Sequence, residues 1–201
     1  MAQAKITNIA AIILAAGQSS RLGLVKQTLP WGKKNIVNTC VETAWAAELD
    51  PLVVVLGANR DMILPLLDQE GVIIVENERW AEGQSTSLKA GLRALPETVR
   101  GALFLLADQP QISVNLISSL IEIAADEDSV VLPIITGRRA NPVYFPRSAF
   151  DELDKLEGDQ GGRSVISCFP VRLLEWLDDD MAGDIDTLED YQKMRARFGL
   201  G

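Results

Sequence analysis

The feature that most constrains this chain is the alternation of unbroken apolar runs with stretches of helical spacing. "IAAIILA" (Ile9–Ala15), "PLVVVLG" (Pro51–Gly57), "GVIIVEN" (Gly71–Asn77) and "GALFLLAD" (Gly101–Asp108) are apolar runs, the last three closing on glycine, asparagine or an acid. A strand with one wet face alternates apolar and polar residues, so a continuous run reads as a strand covered on both faces. Between the runs, Asn35–Glu48 carries Ile36, Val37, Cys40, Val41, Ala44 and Trp45 at helical spacing. Asp61–Asp68 reads as a short helix disturbed by Pro65, and Ser85–Leu95 as a helix with Ser85 at its N-cap and Pro96 beyond its end. Ser113–Ala125 is amphipathic, with Ser113 as its cap. "SVVLPI" (129–134) and "NPVYF" (141–145) flank a turn at Gly137 and suggest a hairpin. Ser148–Leu156 and Thr187–Phe198 read as helices and Val171–Leu177 as a further strand. The alternation predicts a Rossmann-like three-layer α/β/α fold with a mostly parallel sheet.

The 201 residues, 47% hydrophobic, suit a single domain over residues 1–201 with one core, and no repeat or linker interrupts them. The formal charge of −9, with no basic run longer than Lys33-Lys34 or Arg138-Arg139, argues against nucleic acid or an anionic membrane as a partner. The first apolar run is broken by Gly17 and Arg21, so it reads as neither a signal peptide nor a spanning helix. Cys40 and Cys168 stand far apart with no CxxC, as expected of reduced thiols in a cytoplasmic chain. The chain has no histidine, which excludes Ser-His-Asp and Cys-His catalysis and histidine metal sites. Any chemistry must run on carboxylates, lysine, arginine, backbone amides or a carboxylate-held metal.

In parallel α/β sheets ligands sit at the carboxyl ends of the strands, near the point where strand order reverses. That rule gives weight to Gly17–Lys26, Gly57, Asn77–Ser87 and Asp108-Gln109. The first of these, "LAAGQSSRLG" (Leu14–Gly23), follows a strand and precedes Lys26, yet it fits neither GxxxxGK[ST] nor GxGxxG. Small residues there let backbone amides approach an anion, and Arg21 and Lys26 follow within reach of it. On residues alone it is also an ordinary glycine-rich turn with two solvated cations.

"LAAGQSSRLGLVKQTLPWG" resembles the signature of the molybdopterin guanylyl- and cytidylyltransferase family of nucleotidyltransferases. The pattern is LAAGxSxRhG, then a lysine and an LP, matched by Leu14, Ala15, Ala16, Gly17, Ser19, Arg21, Gly23, Lys26, Leu29 and Pro30. "ENERWAEGQSTSLKAGL" (Glu76–Leu92), "LLADQP" (Leu105–Pro110), "GDQGGR" (Gly158–Arg163) and "DIDTLED" (Asp184–Asp190) extend the resemblance over nearly the whole chain. ADQP, GDQGGR and DIDTxED together look most like the cytidylyltransferase branch. Where the family usually shows GHP, this chain has Ala140-Asn141-Pro142.

The resemblance implies transfer of CMP from CTP to the terminal phosphate of molybdopterin, with Mg²⁺ and release of pyrophosphate. A GTP-using enzyme is the near variant, a sugar-phosphate or isoprenoid-type nucleotidyltransferase the wider one, and a non-catalytic carrier of molybdenum cofactor a third reading. By resemblance Arg21 and Lys26 are the catalytic cations, and Leu14, Ala15, Ala16, Gly17 and Ser19 lie against the nucleotide. Gly83, Gln84, Ser85 and Ser87 contact base and ribose on the same reading, although Ser85 equally suits a plain N-cap. Asp108 and Asp186 are the implied metal ligands, with Asp184 the fallback: Asp184 and Asp186 alternate along "GDIDT" and would share one face of a strand. Gly161, Gly162 and Arg163 are assigned to the second substrate, and a recipient molybdoenzyme is the implied partner. Trp80 is the one tryptophan placed near the site.

Overall fold

A computed structural model describes residues 8–18, 22–125 and 128–200. Seven strands form the main path of one sheet: β1 (Ile9–Ala15), β4 (Leu52–Leu56), β5 (Val72–Glu76), β6 (Gly101–Leu106), β7 (Val130–Ile135), β9 (Val143–Pro146) and β10 (Val171–Trp176). Their order is β10-β7-β9-β6-β1-β4-β5, with the short β8 (Arg138–Arg139) paired to β7. β1 lies parallel to β4 and β6, and β4 parallel to β5. β9 is inserted antiparallel between β6 and β7, and β10 runs parallel to β7. β2 (Pro30–Trp31) and β3 (Lys34–Asn35) make a separate small hairpin. The expected pairing of residues 129–134 with 141–145 is therefore present, but the tight turn at Thr136-Gly137 joins β7 to β8.

Alternate residues of each central strand enter opposite cores, which explains why the strands read as unbroken apolar runs. Ile9, Ala11, Ile13 and Ala15 of β1 pack with α1 (Ile36–Ala46) and α4 (Val114–Ala124); Ala10 and Ile12 pack under α3 (Gln84–Arg93) and α5 (Phe150–Asp154). These are the three expected layers. α1 starts where Asn35 accepts a hydrogen bond from the Asn38 amide, and α4 where Ser113 accepts one from Leu116. Pro65 is accommodated because α2 (Arg60–Ile63) gives way to a 3-10 turn over Leu64–Leu66. α6 (Leu188–Arg197) is capped reciprocally by Thr187 and Asp190 and packs Tyr191 against Trp31, Ile36 and Ile185.

Two expectations are corrected. α3 begins at Gln84, with Gly83 at the N-cap, so Ser85 is a helical residue, 1% exposed, and caps nothing. The cause is backbone geometry: Gly83 adopts φ +117°, which closes the preceding turn and lets the helix start two residues early. "GDIDT" forms no strand: Gly183 has φ +95°, and Ile185 is buried between the more exposed Asp184 and Asp186. It is tied instead to the end of β6, where the Ile185 amide donates to the Asp108 carbonyl at 3.2 Å.

Candidate active site

The order reversal falls at β1, flanked by β4 and β6, and the loops after β1 and β6 open beside each other. After β1, the Asn59 side-chain amide donates to the Gly17 carbonyl and holds the loop against the end of β4. Gly57 sits beneath it, since a Cβ there would fall 2.8 Å from the Ala16 carbonyl and from Trp80. After β5, Asn77 is 5% exposed and donates to Thr86 and Ser87 at 2.8 and 2.9 Å, while its oxygen accepts the Arg79 amide. That one side chain shapes the turn carrying Trp80 and anchors the first turn of α3.

A cavity of about 450 Å³ opens between these loops, lined by Leu14, Ala16, Gly17, Lys26, Gly83, Gln84, Ser87 and Asp108 together with Gln18, Trp80 and Asp159. A second, of about 480 Å³, adjoins it and shares Leu14, Gln84 and Leu106. Its walls are Leu88, Phe104, Val143 and Phe145, with Gly161, Gly162, Arg163, Asn141 and Asp184 around them. The two cavities are joined structurally as well: the Ser85 amide donates to the Gly158 carbonyl, and a Cβ on Gly83 would fall 2.2 Å from the Gly158 carbonyl carbon.

At the wall of the first cavity, Lys26 and Asp108 form a charged cluster with Asp186. Lys26 starts a 3-10 turn, and its ammonium donates to Asp108 Oδ2 at 2.6 Å, to the Ile185 carbonyl at 3.1 Å and to Asp186 Oδ1 at 3.4 Å. Its side chain is 12% exposed, that of Asp108 20% and that of Asp186 46%. Burial pushes the Asp108 carboxyl above its ordinary range, and Lys26 offsets part of that rise. Asp108 Oδ1 is buried and has no hydrogen-bond partner among the described residues. Gln109 donates to Asp184, and Gln111 donates to the Gly183 carbonyl at 2.7 Å, so the residues after Asp108 clasp the 181–186 segment.

Most of the expected site residues converge here. Ser19 and Arg21 lie outside the described residues. Ala15 is fully buried in the sheet beneath the cavity, and Ser85 faces the opposite side of α3, toward Asn77 and Lys89. Asn77, Asp159 and Gln111 were not singled out individually by sequence reasoning. Asn77 had a signal, as the first polar residue after β5; Asp159 and Gln111 become meaningful only through contacts with distant segments.

Two carboxylates around a bound ammonium, one with a buried oxygen that lacks a partner among the described residues, form an oxygen donor set suited to a hard divalent cation. Among the described residues no group of three or more Asp, Glu, Cys or His side chains gathers, so such a cation would complete its shell with water and substrate oxygens.

A parallel sheet with small-residue and cationic loops at its carboxyl ends, beside paired aspartates, defines the class of nucleotide-handling α/β transferases. The chain belongs to the family with the MobA-like NTP transferase domain, which matches residues 11–176. It is 30% identical to purine catabolism protein PucB of Bacillus subtilis over 92% of this chain and 94% of that protein. It is 28% identical to nicotine blue oxidoreductase of Paenarthrobacter nicotinovorans over 92% of this chain and 96% of that protein. Identity to molybdenum cofactor cytidylyltransferase of Escherichia coli is 24%, over 93% and 95% of the two chains. The fold superimposes on Rv0371c of Mycobacterium tuberculosis, solved in complex with manganese, with a TM-score of 0.76, 26% identity and coverage of 92% and 97%.

Proposed function

We propose that this chain, acting as one domain, transfers CMP from CTP to the terminal phosphate of molybdopterin or molybdenum cofactor. The acceptor phosphate oxygen attacks the α-phosphorus of the triphosphate; the new P–O bond forms as the bond to the β-phosphate oxygen breaks, and pyrophosphate leaves. The observation that carries the reading is the Lys26–Asp108–Asp186 cluster, two members of which line the first cavity, beside a second cavity that shares Leu14, Gln84 and Leu106 with the first. One cavity then takes the triphosphate and the other the acceptor, with the reacting atoms between them.

The acceptor phosphate is already an anion near neutral pH, so the lack of histidine leaves no chemical gap. What the protein supplies is alignment of the two substrates and stabilisation of charge on phosphate oxygens. Leu14, Ala16 and Gly17 bring backbone close to the nucleotide, and Gly83, Gln84 and Ser87 face it from the start of α3. Gly161, Gly162 and Arg163 line the acceptor side. Asp108 and Asp186 would hold Mg²⁺, which when bound draws charge from the α-phosphate oxygens. Arg21 and Lys26 are the cations assigned to the triphosphate. Asp184 is set apart from the metal role because Gln109 holds it and it lines the acceptor cavity. The reading includes a cytoplasmic setting and a recipient molybdoenzyme; no helix among the described residues is long and apolar enough to cross a membrane.

The test is pyrophosphate release from CTP, GTP, ATP and UTP with molybdenum cofactor as acceptor. Release from CTP well above the other three is expected. GTP as the preferred donor moves the assignment to the guanylyl branch, and acceptor binding without release from any triphosphate favours a carrier.

A further inference from the structure

From where it stands, Lys26 lines the first cavity but has all three of its protons engaged within the protein. An ammonium has three protons, and Lys26 directs them at Asp108 Oδ2, the Ile185 carbonyl and Asp186 Oδ1. A divalent cation held by both aspartates would be drawn to the same two carboxylates, whose Oδ2 (Asp108) and Oδ1 (Asp186) the ammonium already occupies, so cation and ammonium repel and compete there. We propose that Lys26 is the resident cation of this position in the metal-free protein, and that divalent metal displaces it into the first cavity, toward the phosphates. The inference rests on the metal reading above and adds an exchange to it.

Three features of the geometry support the exchange. The Asp108 carboxylate is largely buried, and an uncompensated charge there would be costly, so the position needs a cation in either state. Asp108 Oδ1 has no partner among the described residues, so the lysine leaves one metal-binding oxygen unused that a larger coordination shell would take. Lys26 and Asp108 both line the first cavity, so a lysine that swings away from Asp108 stays beside the triphosphate rather than leaving the site. The consequence is coupling: metal frees the lysine for the nucleotide, and a nucleotide that takes up the lysine releases Asp108 Oδ2 to the metal. Metal alone binds weakly because it must first displace a hydrogen-bonded cation.

The experiment is a Mn²⁺ titration followed by electron paramagnetic resonance, without nucleotide, on the wild-type chain, Lys26→Gln and Asp108→Asn. Lys26→Gln is expected to bind Mn²⁺ at least roughly tenfold more tightly than wild type, because the competing charge is gone. Asp108→Asn should bind more weakly than either. Equal or weaker Mn²⁺ binding by Lys26→Gln overturns the exchange while leaving the metal site intact. Binding that Asp108→Asn does not change overturns the metal reading, and the exchange with it. Should Lys26→Gln not fold, a second measurement on wild type decides: acylation of the Lys26 amine, followed by peptide mass spectrometry, with and without Mn²⁺. Faster labelling with Mn²⁺ supports displacement, and an unchanged rate at saturating Mn²⁺ overturns it.

Discussion

Asp108 ties three parts of the candidate site together. It closes the candidate site from the end of β6, its backbone carbonyl holds Ile185, and its carboxylate meets Lys26. Asp108→Asn keeps the shape and removes the charge, so the far-ultraviolet circular dichroism should match wild type while metal-dependent pyrophosphate release falls by about 10²-fold or more. Loss of less than tenfold would remove Asp108 from the metal role. Cys40 lies behind the same strand, donating weakly to the Leu106 carbonyl, and burial, reinforced by the Asp108 charge, pushes its thiol up to about 12. Cys168 is exposed. Because the thiolate is the reactive form, native protein at pH 8 should titrate one thiol quickly and denatured protein two; two fast equivalents in the native state would contradict the burial. Lys26 and Asp108 were legible in the sequence because each stands in a local pattern just after a buried strand. Gln111 was not, because its meaning depends on a segment 72 residues away in sequence.

At the scale of elements, the alternating pattern predicts strands and helices well, and the largest correction falls at one turn. Serine is the better cap by side-chain chemistry, but the Gly83 backbone, at φ +117°, ends the turn earlier and makes Ser85 helical. The insertion of antiparallel β9 was only half legible, since a hairpin pattern shows that two runs pair and not which neighbour lies beyond. Gly83 has a further role at this scale: a Cβ there would sit 2.2 Å from the Gly158 backbone, which leads into the loop bearing Gly161–Arg163. Gly83→Ala should therefore push that loop off the start of α3 and raise KM for the acceptor phosphate more than the loss of stability alone explains. The check is a steady-state comparison with Ser113→Ala, which removes the α4 N-cap and should cost about 1 kcal/mol in urea unfolding. Equal effects of the two variants on KM would show that Gly83 acts only through stability.

Across the whole molecule, the core under α1 and α4 is nearly all hydrocarbon, but it contains two groups that ionise only in alkali. One is Cys40, with its thiol raised from 9.0 to about 12; the other is Tyr144 in the same cluster. Tyr144, 2% exposed, is raised from 10.0 to about 12, chiefly by burial, and donates to the Arg100 carbonyl. In both, the folded state holds a proton that the unfolded chain releases earlier. Between pH 9 and 12 the folded state therefore binds more protons than the unfolded one, and stability falls as pH rises. Well below pH 9 neither group contributes a slope. The loss is on the order of a few kcal/mol by pH 12 if both groups act, enough to matter against the total stability of an ordinary domain. Urea unfolding measured from pH 7 to 11 should show a flat region, then a decline that begins near pH 9. Tyr144→Phe should remove the part that begins near pH 10, and Cys40→Ala the part that begins near pH 9, each at some cost in stability at neutral pH from lost packing. An alkaline slope unchanged in both variants would mean that other groups, and not these two buried ones, set the upper pH limit of the fold.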